Sequence, residues 1–117
     1  MKTKLGHIRV NVKNLDDALQ WYTNILGFKV AGTWPPDKPN YAHFEAEYGA
    51  TFSIMEDKNY PSFGRFNFNI SGVDTFWDEI KDQVTVIEEL FSTPWGSKKF
   101  TIRDLDGNEL GFVQEAE

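Results

Sequence analysis

The chain has 117 residues, 40% of them apolar, with ten Phe, four Trp and no Cys, and its 18 acidic and 12 basic side chains leave a formal net charge of −6. This length suits one domain with a substantial core. The lack of cysteine excludes disulfides, thiolate metal sites and Cys nucleophiles, while the acidity argues against nucleic acid or an anionic membrane as partner, since both need a basic patch.

Residues 5–12 alternate, with Ile8, Val10 and Val12 on one face and His7, Arg9 and Asn11 on the other, which predicts a half-buried strand. Asn14 offers a helix N-cap, Asp16 and Asp17 suit the positive end of the helix dipole, and Leu15, Ala18, Leu19, Tyr22, Ile25 and Leu26 form an apolar stripe ending at Gly27. Three strands follow, at 28–33, 41–47 and 51–56. WPPDKPN (34–40) is expected as a loop, because its prolines cannot donate to a ladder. DKNYPSF (57–63) reads as a connection. The order then recurs: strand 65–70, helix 73–82, strands near 84–90 and 98–103, the turn DLDGN (104–108) and strand 109–114.

The recurrence is in register. GHIRVNVKNLDDALQWY (6–22) lies over GRFNFNISGVDTFWDEI (64–80), Gly49 lies over Gly107, and His7 falls on Arg65. A repeated unit too small to be stable alone pairs with its copy. The expected fold is therefore α+β: two tandem βαβββ modules (1–56 and 64–117, joined by 57–63) within a single domain 1–117, forming an open, cup-shaped mixed sheet with helices on the outer face. By phase, the inner face takes His7, Arg9, Asn11, Tyr41, His43, Glu45, Thr51, Ser53 and Met55 from the first module. The second supplies Arg65, Asn67, Asn69, Lys99, Thr101, Arg103, Glu109, Gly111 and Val113.

GHIRVNVKNLDDALQWYTNILGFKV and TPWGSKKFTIRDLDGNELGFV, with YTNILGF (22–28) and DLDGN (104–108) as their most specific pieces, resemble the vicinal oxygen chelate superfamily. This is the glyoxalase, fosfomycin-resistance, extradiol-dioxygenase and bleomycin-resistance group. The resemblance implies a cup in which enzymatic members hold a divalent metal. Carried onto this chain, its ligand positions are His7, Ser53, Arg65 and Gly111. Only His7 suits a metal, because Arg65 is a permanent cation and Gly111 has no side chain, whereas such sites need three or four imidazole or carboxylate ligands. The expectation is a metal-independent, cofactor-free small-molecule binder, similar in kind to bleomycin-resistance proteins, with its ligand in the cup at a homodimer interface. No catalytic or metal-ligating residue is assigned.

The candidate ligand-binding set is His7, Arg9, Asn11, Trp34, Tyr41, His43, Ser53, Arg65, Asn67, Thr101, Arg103 and Glu109. Arg9, Arg65, Lys99 and Arg103 read either as an anion-recognition cluster or as internal ion pairs, Arg103 with Glu45 and Arg65 with Glu109. Among the aromatics beside the cup, Trp34 is the ligand candidate, while Trp95 in its PWG turn is expected to pack structurally. Glu88 and the other helix and terminal acids read as solubilising charge. The alternative is a divergent lyase, isomerase or dioxygenase-type enzyme. It would use a displaced metal site (His7, His43, Glu45, Glu109) or a general base at His7 or Glu109. A purely structural or regulatory dimer is the third reading. No apolar run approaches the roughly 20 residues of a membrane span, so a soluble cytoplasmic protein is expected.

Overall fold

Val10 and Val12 are buried on one side of β1 (His7–Val12) while His7 and Arg9 on the other are exposed, as expected of a strand with one wet face. The computed structural model describes residues 1–116 and divides into two units, one Met1–Ser62 and the other beginning at Phe63. In the first, β1 is followed by α1 (Leu15–Gln20), a π-helical turn (Trp21–Ile25), β2 (Val30–Trp34), β3 (Tyr41–Phe44) and β4 (Thr51–Glu56). The second runs β5 (Arg65–Asn69), α2 (Val73–Ile80), β6 (Thr85–Ser92), β7 (Lys98–Arg103) and β8 (Glu109–Gln114). Both are βαβββ, and the class is α+β.

The sheets have equivalent orders, β1-β4-β3-β2 and β5-β8-β7-β6. In each, the first pair is parallel and the others antiparallel. His7 faces Thr51 and Arg65 faces Glu109, so the sequence register survives as strand register.

The helix starts repeat as well. Asn14 Oδ1 accepts from the Asp17 N–H at 2.9 Å, the expected cap. In addition, the Leu15 N–H donates to Glu56 Oε1 (3.1 Å) and the Val73 N–H donates to Gln114 Oε1 (3.0 Å). Each helix thus has a first-turn donor satisfied by the last residue of its own sheet's parallel partner strand.

The apolar stripe of the first module does not give one regular helix up to Gly27. After Gln20 the coil widens to a π turn, where the Thr23 hydroxyl donates to the Leu19 carbonyl at 2.7 Å, a back-bond that competes with regular helix pairing. The Phe28 N–H closes onto the Tyr22 carbonyl at 3.1 Å, and Gly27 takes the positive φ of +74° that reverses the chain.

Tyr22 is fully buried, its ring 5.4 to 5.8 Å from those of Phe28, Phe44 and Phe52. In the second unit Phe76 and Trp77 of α2 pack on Phe100 and Phe112. Each such ring pair adds about 0.5–1.5 kcal/mol beyond its area burial. Each helix therefore covers one face of its sheet, leaving the other for polar side chains.

Two edge strands are irregular. β2 carries a bulge between Val30 and Gly32, and β6 shifts register between Val86 and Glu88 and again between Glu88 and Phe91. β3 stops at Phe44 rather than 47, because its pairing with the preceding segment ends at the bond from the Glu45 N–H to the Lys29 carbonyl. Among the described residues no helix is long and apolar enough to cross a membrane.

Candidate functional site

In the first unit, register aligns Arg9, Ser53, His43 and Gly32 across one row of the polar face. Asn11, Met55, Tyr41 and Trp34 form the next. His7 reaches into this face. Its Nε2 lies 2.9 Å from Ser53 Oγ and 3.2 Å from the Tyr41 hydroxyl. Ser53, fully buried, donates its one proton to the Ile8 carbonyl at 2.9 Å. With that proton committed, the contact to Ser53 favours a neutral His7 that carries its proton on Nε2 and keeps Nδ1 as its lone-pair nitrogen.

Asn11 is drawn off this face. Its backbone N–H donates to Ser62 Oγ (2.8 Å) and its amide to the Tyr60 carbonyl (2.5 Å), fastening the segment after β4 to the free edge of β1. His43 lies beside Tyr41, with centroids 5.9 Å apart and planes tilted by 44°, and its ring lies against Gly32, where a Cβ would come within 2.7 Å of Cε1. Trp34, the last residue of β2 rather than part of the loop, is 63% exposed. Arg9 Nη1 donates to Met55 Sδ at 2.9 Å.

The second unit's polar face is an ion-pair network. Arg65 pairs with Glu88 and, at 3.7 Å, with Glu109, while Lys99 Nζ lies 3.9 Å from Glu88. Thr101, fully buried, donates to Glu88 at 2.7 Å and accepts from Arg65 at 3.2 Å. The Thr101 hydrogen bond, helped by the charges of Arg65 and Lys99 and opposed by burial, holds the Glu88 carboxyl below its ordinary value.

Glu88 is thus not a solubilising surface charge. The bulge after Val86 places Glu88, rather than Ile87, opposite Thr101 and so turns it onto the polar face. The expected Arg65–Glu109 pair forms. Arg103 faces Glu109 in the β7–β8 register but makes no ion pair among the described residues of its own unit. Trp95 does not pack into its unit, being 74% exposed.

The metal implied by the sequence resemblance does not fit the residues at its positions. His7 Nε2 is engaged, Ser53 is a buried hydroxyl whose proton is committed, and Arg65 is a paired cation. At Gly111 a Cβ would lie 2.1 Å from Asn67 Oδ1 and 3.2 Å from Lys99 Cε, so neighbouring side chains already occupy the space a ligand carboxylate would need. Among the described residues no three His, Asp or Glu side chains are grouped to hold an ion.

Solved structures share this fold. TioX from Micromonospora sp. ML1 matches with a TM-score of 0.82 at 16% identity, covering 96% of this chain and 98% of its own. TnmS3, an antibiotic binding protein from Streptomyces sp. CB03234, matches at 0.81 and 18% identity, with 98% of both chains covered. A glyoxalase/bleomycin resistance protein/dioxygenase superfamily member from Sphaerobacter thermophilus DSM 20745 matches at 0.78 and 20% identity, covering 97% and 98%. No curated protein matches. The family model for this same superfamily matches residues 4–112, and together with the paired βαβββ units it places the chain in the glyoxalase/bleomycin resistance protein/dioxygenase superfamily.

Proposed function

We propose that the chain is a metal-independent small-molecule-binding protein that sequesters its ligand on the polar sheet faces, at the interface of a homodimer. The observation that carries this reading is the occupation of the would-be ligand positions: His7 tied to Ser53, Arg65 tied to glutamates, and Asn67 filling the space beside Gly111. A carboxylate and imidazole set able to outcompete water is not assembled in either unit. The exposed aromatics provide contact area for an organic molecule. Likeness to TnmS3, an antibiotic binding protein, favours sequestration over turnover.

The test is calorimetric titration with Ni, Mn, Zn, Co and Fe ions, alongside sedimentation of the protein. The expected result is a dimer without a stoichiometric metal site. A submicromolar site that vanishes in His7→Ala would overturn the reading, as would turnover of α-ketoacid, thiohemiacetal or epoxide substrates that requires His7.

A further inference from the structure

The strands of the first unit bring one guanidinium and no carboxylate to their polar face. Arg9 sits between Ser53, its cross-strand neighbour, and Met55, whose sulfur accepts its one hydrogen bond to a side chain. A thioether is a weak acceptor, so most of the five guanidinium N–H donors and the whole charge are left without an anion among the described residues of its own unit. The second unit differs. Arg65 is held by Glu88 and Glu109, Lys99 lies near Glu88, and Arg103 stands opposite Glu109 in register. Arg9 is thus an exposed guanidinium on a sheet face whose strands supply no carboxylate to hold it.

Beside Arg9 is a shelf of flat rings. Met55 faces Tyr41, Tyr41 faces Trp34, and the His43 ring lies next to Tyr41, pressed onto Gly32 where any side chain would push it away. Cross-strand neighbours stand about 5 Å apart, so a two-ring ligand on Trp34 and Tyr41 brings a substituent within reach of Arg9.

We infer that the ligand is a planar aromatic anion. Its carboxylate, or an equivalent oxyanion, takes Arg9 from Met55 in a forked, charge-assisted pair, and its ring system lies on Trp34, Tyr41 and His43. This rests on the small-molecule-binding reading above and specifies its ligand class.

The test uses the intact chain and three shape-matched probes: 2-naphthoate, 2-naphthamide and 2-naphthylmethylammonium, titrated by calorimetry. Naphthoate is expected to bind about tenfold more tightly than naphthamide, in keeping with a charge-assisted over a neutral hydrogen bond. Arg9→Gln should bring the two within about twofold of each other by lowering naphthoate affinity alone, while Arg9→Lys keeps most of the preference. Lys81→Gln, the same charge change at the C-cap of α2, should leave the preference intact, and Trp34→Ala should weaken both probes. Equal binding of acid and amide, preference for the ammonium, or a preference that survives Arg9→Gln would overturn the anion assignment and leave small-molecule binding standing. Failure of all three probes to bind would remove the shelf and the anion assignment together. Metal titration tests the wider reading separately.

Discussion

His7 and Ser53 show how a residue type can suggest one chemistry and its partners impose another. An imidazole leading the first strand invites a metal or general-base reading, but the buried Ser53 hydroxyl gives its proton to the Ile8 carbonyl and leaves only lone pairs for His7. Neutral His7 should therefore be the Nε2–H tautomer, visible in nitrogen-15 chemical shifts; an Nδ1–H form would contradict the assignment. Ser53→Ala removes both bonds and is expected to lower stability by about 1–2 kcal/mol in urea unfolding, with His7 losing its single tautomer. The residues of this site were legible in sequence through strand phase, but their bonds were not, since nothing in a period of two says which hydroxyl holds which nitrogen. Asn11 shares a register row with Met55 and Tyr41, yet its partners Tyr60 and Ser62 lie in a segment without periodicity.

Elements differ in how much of themselves they announce. β4 and β7 run as expected from alternating side chains, and the α1 start follows from Asn14 and its two aspartates. The π turn and the β6 bulges leave no compositional trace, because each is a change of count between neighbouring chain segments rather than a change of residue type. Glu88 was misread for that reason. Its carboxyl is held below the ordinary glutamate value, first by Thr101 and then by Arg65 and Lys99, so it favours the folded state above the ordinary range. That contribution is lost as pH falls through the depressed folded value. It is expected to be small, since the pair is part-solvated. Glu88→Gln should accordingly flatten the acid limb of a stability–pH curve without shifting the plateau much, and an unchanged acid limb would mean the network does not couple to folding. At the helix starts, Gln114→Ala is expected to cost about 0.5–2 kcal/mol by leaving the Val73 N–H unpaired, since Gly72 offers no side-chain cap. Asn14→Ala should cost less, because Glu56 still holds the first turn of α1.

Across the whole molecule, the 58-residue register is the best preserved property of the chain. It recurs in strand order and in parallel pairing, which follow from apolar periodicity repeated twice, and in the Glu56 and Gln114 caps, a polar match at the same offset. What diverged is the polar face, aromatic in one unit with a guanidinium bonded to a thioether, and built around the Arg65–Glu88–Glu109 ion pairs in the other. The apolar periodicity that fixes the core does not choose among side chains on the opposite face, so it locates that face but cannot state its chemistry. Core substitutions should weigh more heavily than site substitutions. Phe100→Ala, emptying the ring cluster under α2, is expected to cost about 3–5 kcal/mol in urea unfolding, a large part of the roughly 5–15 kcal/mol typical of a domain.

The bulges in β2 and β6 bear also on solubility. Each interrupts a strand lying at the outside of its sheet, where a straight row of unpaired N–H and carbonyl groups would template a strand from another copy of the chain. Deleting Ile87 and Glu89 together would keep Glu88 opposite Thr101 while removing both register shifts from β6. Light scattering at high protein concentration should then detect strand-mediated aggregates that the parent chain, its edge broken at two places, does not form.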